Sequence, residues 1–163
     1  LMLQAEEPDD YVVGTGESHS VREFVEKAFL YTGIEIEWKG RGTEEKGIVA
    51  SIDENLLTNI LPLSYRCESL PVKPGEIIIE IDPKYFRPTE VEHLQADITK
   101  AREKLGWEPR TTFEELVMIM VDYDLKRLGL KPVGKGIQVC NEKGFCYTEH
   151  DLTYIPNTER AQS

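Results

Sequence analysis

Ile77–Leu116, IIIEIDPKYFRPTEVEHLQADITKAREKLGWEPRTTFEEL, is the stretch whose reading decides the fold class. It joins an isoleucine run, a charged turn and two capped helical patterns without a gap. The run from Glu76 to Asp82 is expected to be a strand buried on both faces, ended by Asp82-Pro83. Asp97 stands where an N-cap is wanted, Ala101 and Leu105 share one face of a short helix, and Gly106 closes it. Trp107 follows as an expected core aromatic. Thr112 and Glu115 have capping-box spacing, opening a helix in which Phe113, Leu116, Val117, Met120 and Leu128 form an apolar stripe broken by Asp124. Met118 and Met120 read as packing residues, and Gly129 as the stop.

Between the strand and these helices, Arg87 and Glu90 sit on either side of Pro88, flanked by Tyr85 and Phe86. A guanidinium presents a planar fork that matches two oxygens of a diphosphate, and a carboxylate accepts from paired hydroxyls such as those of a ribose. The same spacing equally describes a surface ion pair worth about 0 to 1 kcal/mol. Spacing alone leaves both readings open.

Upstream, Tyr11-Val12-Val13 reads as a short buried strand running into Gly14-Thr15-Gly16. A dinucleotide loop would need glycine at position 19, where His19 stands, so a tight turn is the plainer reading. His19 lacks an evident partner and is expected to be a turn or cap residue. Ser20 and Glu23 fit a capping box for a helix over Val21–Tyr31, with Val21, Phe24, Val25, Ala28 and Phe29 on one face and Gly33 at its end. Ile34–Trp38 alternates apolar and polar residues as a half-buried strand does. From Lys39 to Gly75 the period fades into an expected irregular excursion with a short helix at Glu54–Ile60; Arg41 and Arg66 read as solvated charges.

The chain of 163 residues suits one domain with a real core. No apolar run approaches a membrane span, and no secretion leader is visible, so the cytoplasm is the expected compartment. A net charge of -11 argues against nucleic acid as a partner. Three cysteines do not make a disulfide framework and are expected to be reduced. The chain opens on Leu1-Met2-Leu3 and stops its first apolar pattern at Pro8, from which a longer protein with its remainder upstream is expected. Residues 131–163 are expected to form an irregular tail after a domain of residues 1–130, draped over that domain or over a neighbouring subunit. Cys140, Cys146 and His150 invite a zinc reading, but structural zinc prefers tighter cysteine pairs and four ligands, and the fourth would have to be distant Cys67.

The order HSVREFVEKAF, IDPKYFRPTEV and LQADITKAREKLGWEPRTTFEELV closely resembles the C-terminal part of the GDP-mannose 4,6-dehydratase family, within the extended short-chain dehydrogenase/reductase superfamily. The resemblance covers about Leu1 to Leu128. It implies an α/β substrate-binding part with short strands and about four helices, set beside a Rossmann dinucleotide-binding part absent from this sequence. It also implies a full-length, homo-oligomeric enzyme that uses NADP, bound by the N-terminal part, to convert GDP-mannose to GDP-4-keto-6-deoxymannose. Arg87 would then contact the GDP diphosphate and Glu90 the ribose, and this part alone would be inactive. The rival readings are another nucleotide-sugar epimerase or reductase of the superfamily, and a nucleotide-sugar-binding module without chemistry.

Overall fold

The computed structural model describes residues 1–62, 70–87 and 94–144. After a 3-10 turn at Met2–Gln4 the described elements run α1 (Val21–Tyr31), β1 (Ile34–Lys39), β2 (Lys46–Ile52), α2 (Glu54–Ile60), β3 (Ile77–Glu80), α3 (Thr99–Leu105), α4 (Phe113–Arg127) and α5 (Lys135–Lys143). The mixed helix and strand class agrees with expectation.

The three strands form one antiparallel sheet in the order β1-β2-β3. Strand β2 lies in the stretch expected to be irregular. Its start is dictated by Gly47, which pairs with Trp38 on one side and Ile79 on the other. A Cβ there would lie 2.9 Å from the Ile79 Cβ and 3.2 Å from Ile36 Cγ2, so only glycine lets the three strands close. Strand β3 is shorter than expected and lies at the sheet edge, with Ile77 48% exposed rather than buried on both faces. The core under the sheet is Ile34, Val49 and Leu57, closed by Phe29, Ile52, Leu61 and Ile78.

Helix α1 starts as its sequence predicts, with Ser20 Oγ accepting from the Glu23 amide at 3.0 Å. Glu23 turns its own carboxylate to His19 and Lys27 instead of completing the box. The Thr112–Glu115 box at α4 is complete in both directions. Thr112→Ala is expected to lower the unfolding free energy by about 1 kcal/mol, seen as a lower urea midpoint at unchanged slope.

Three more expectations are corrected. Tyr11–Val13 is not a strand: side chains tie this segment to α3, with Asp9 bonded to both Lys100 and Lys104 and the Lys100 ammonium 5.3 Å above the Tyr11 ring. Those two ammonium groups hold the Asp9 carboxyl down at about 2. The apolar stripe assigned to α4 faces outward at Leu116, Met120 and Leu128, 45%, 43% and 67% exposed, whereas Val117 and Asp122 are buried. Finally, α5 occupies part of the stretch expected to be irregular, packed along α4.

Helix α5 is fixed at both ends by α4 and its approach. Asp122, fully buried, accepts from the amides of Gly134 at 3.0 Å and Ile137 at 3.2 Å, acting as an N-cap supplied by another helix. The Tyr31 hydroxyl donates to Asp122 at 3.0 Å and accepts from the Gly136 amide at 3.1 Å, which draws α1 into the same joint. At the other end the Lys143 carbonyl accepts from Arg110 Nη2 at 2.8 Å, and the Lys143 ammonium bonds Glu115. Cys140 is buried as a free thiol. Cys146, His150 and Cys67 lie outside the described residues, and among the described residues no three His, Cys, Asp or Glu side chains are grouped to hold a metal.

Candidate functional site

The loop after β3 is shaped by Asp82. Its Oδ1 accepts from the Lys84 amide at 2.9 Å and its carbonyl from the Tyr85 amide at 3.0 Å, so the chain turns sharply before the aromatic pair. A two-residue cap of this kind is the usual work of aspartate in a turn. Tyr85 is left 72% exposed and Phe86 43% exposed. Arg87 joins them, with Val21, Glu80 and Ile81, around an open cavity of about 560 Å³ beside the start of α1. Among the carboxylates of this lining, Glu80 pairs with Lys46 at 3.0 Å and Asp82 serves the turn. The loop thus puts Arg87, Tyr85 and Phe86 on the wall of one cavity. Glu90, the second residue of the expected pair, lies outside the described residues, as does Arg66; Arg41 is exposed.

A second cavity, of about 600 Å³, opens between the loop at Val13–Thr15 and the approach to α4, with Trp107, Pro109, Phe113 and Leu116 among its walls. Trp107 is only half-buried and serves this wall rather than the core. His19 belongs to this lining. Contrary to the sequence reading it is well partnered: Nδ1 lies 3.0 Å from Glu23 Oε2, Nε2 lies 3.2 Å from Glu17 Oε2, and the ring stacks on Phe113 at 3.8 Å. The i, i+4 spacing of His19 and Glu23 carried that signal. The bond to Glu23 raises the His19 pKa above its ordinary value, burial opposes this, and Glu17 adds to the rise.

The residues before α1 do not fit the pyrophosphate of a dinucleotide. The Ser20 hydroxyl already takes the Glu23 amide at the helix start, and the carboxylates of Glu17 and Glu23 stand beside it, where a phosphate would be repelled.

The family model described as GDP-mannose 4,6 dehydratase matches residues 1–120. The chain is similar to the human protein named GDP-mannose 4,6 dehydratase, 44% identical over 132 residues that cover 81% of this chain and 30% of that protein. A Drosophila melanogaster relative of the same name is 44% identical over 133 residues, 82% of this chain and 28% of the relative. A Vibrio cholerae GDP-mannose 4,6-dehydratase is 40% identical over 126 residues, 77% of this chain and 31% of the relative. The chain spans about 30% of the length of the human protein. On the family match and these identities, the chain belongs to the GDP-mannose 4,6-dehydratase family.

Proposed function

We propose that this chain is the nucleotide-holding part of an enzyme that converts GDP-mannose to GDP-4-keto-6-deoxymannose, with Arg87 gripping the GDP diphosphate and Glu90 the ribose. The observation that carries the reading is the position of Arg87: in the lining of an open cavity that it shares with two exposed aromatic residues, in a chain of this family. NADP would be held outside these residues, since the glycine turn before α1 does not suit it. The catalytic groups are likewise assigned outside this chain, which is expected to bind without turning over. Cytoplasmic location and homo-oligomeric assembly belong to the same proposal and rest on the family resemblance.

Calorimetric titration of the purified chain with GDP-mannose and with GDP tests the grip. Arg87→Ala is expected to weaken both ligands by about 10- to 100-fold, the worth of a charge-assisted bidentate contact of about 1.5 to 3 kcal/mol. Arg87→Lys should recover only part of it, because an ammonium lacks the fork. Equal affinity of wild type and Arg87→Ala would remove Arg87 from the site.

A further inference from the structure

We propose that His19 is a proton-operated latch: as an imidazolium it fastens the loop ahead of α1, whose Val13–Thr15 part walls the 600 Å³ cavity, to the first turns of α1 and α4, and loss of a proton releases that loop from them. The inference does not rest on the Arg87 reading.

The geometry specifies the protonation state. Both ring nitrogens face carboxylate oxygens, Glu23 at 3.0 Å and Glu17 at 3.2 Å. A neutral imidazole has one N–H and one lone pair, so it would set that lone pair against one of the two carboxylates; only the imidazolium donates to both. The ring also lies parallel to Phe113, 3.8 Å between centroids and 3° between planes, which places a cation on an aromatic face. Phe24 of α1 backs Phe113 at 6.3 Å.

The charged groups around the ring favour the cation. Glu17 comes from the loop, Glu23 from α1, and Glu114 from α4 at longer range. Against these three carboxylates stands Lys27, 2.9 Å from Glu114 and 3.9 Å from Glu23. The raised pKa of His19 agrees in direction, with Glu23 as the first cause. Because the folded value is raised, the latch is fully present below the ordinary histidine value near 6.5 and is lost as pH rises through the folded value.

Glu17 is the arm that moves. Its side chain is 63% exposed, whereas that of Glu23 is 37% exposed and is held by its helix. Deprotonation that leaves the Nδ1–H on Glu23 turns the Nε2 lone pair toward Glu17, and repulsion sends that carboxylate to water. The turn attached to it, in which the Thr15 hydroxyl accepts from the Glu17 amide at 3.2 Å, is then freed on its α1 side, while Gln95 still bonds the Gly16 carbonyl on the other.

Ring 15N and backbone amide NMR across pH 5 to 9 tests this on the whole chain, with His19→Phe assigning the ring signals. The expected result is a doubly protonated ring at pH 6, a midpoint above 6.5, and amide shifts of Thr15, Gly16 and Glu17 that share that midpoint. Glu17→Gln should weaken proton binding by about threefold or more, the loss of one of two carboxylate partners, and flatten the amide titration. A neutral ring at pH 6, pH-independent amides at 15–17, or loop titration that persists in His19→Phe would each overturn the latch. Should His19→Phe fail to fold, the surface variant Glu17→Gln decides alone: an unchanged His19 midpoint overturns it.

Discussion

Asp122→Ala is expected to cost about 3 to 5 kcal/mol of unfolding free energy, a large part of what a domain of this size possesses. The carboxylate is fully buried and receives the amides of Gly134 and Ile137 and the Tyr31 hydroxyl. Alanine leaves these donors in a dry site without an acceptor, and a buried donor left unmade costs about 1 to 3 kcal/mol each. Asp122→Asn should lose less, because its amide oxygen still accepts, yet its NH2 must face a backbone N–H. Urea denaturation followed by circular dichroism gives the free energies. Hydrogen exchange at residues 134–137 would locate the loss at the start of α5.

The same joint predicts an alkaline limit. The Tyr31 phenol is pushed up to about 12, first by burial and further by the Asp122 charge. A folded value above the ordinary value of 10.0 means that the contribution is complete below 10 and is lost as pH rises toward 12. Tyr31→Phe should flatten that part of the stability profile.

Gly136→Ala is the second large effect, an expected loss of about 3 kcal/mol despite the better helix propensity of alanine. A Cβ at this position would lie 2.7 Å from the Ile119 amide nitrogen and closer still to the Met118 carbonyl. Those neighbours are the backbone of α4, which cannot swing aside as a side chain can. Helix α5 would have to lift away, taking Gly134 and Ile137 off Asp122, so the two losses are coupled. In a double-mutant cycle, Gly136→Ala with Asp122→Ala should cost clearly less than the sum of the single variants. Simple additivity would mean that the cap and the close approach are independent.

These two residues also show what the sequence does not display. Helices α1 and α4 carry their start signals within a few residues, at Ser20 and Thr112, and both begin where the spacing predicts. Helix α5 has no such signal, because Gly134 offers no capping side chain and the cap arrives from Asp122, twelve residues upstream on another helix. The i, i+4 pair Gly136 and Cys140, both buried, is the legible trace of it.

The α4 stripe failed for a related reason. LVMIMV at 116–121 is apolar nearly all round, so periodicity alone cannot choose the inward face. The helix settles with the polar Asp122 inside, since that residue holds α5. Strand β2 was hidden by its glycine, whose need for close approach becomes visible only once Trp38 and Ile79 flank it. The turn at Asp82 fits the Asp82-Pro83 signal for the end of the strand.

The most direct measurement of the central claim is an NMR titration of the 15N-labelled chain with GDP, which asks where the nucleotide lands. The prediction is saturable shifts confined to residues 80–90 and the start of α1 at Val21, with the amides of Gly14, Thr15 and Trp107 unmoved. Shifts centred on Gly14, Thr15 and Trp107, with residues 80–87 silent, would contradict the assignment of the nucleotide grip to Arg87.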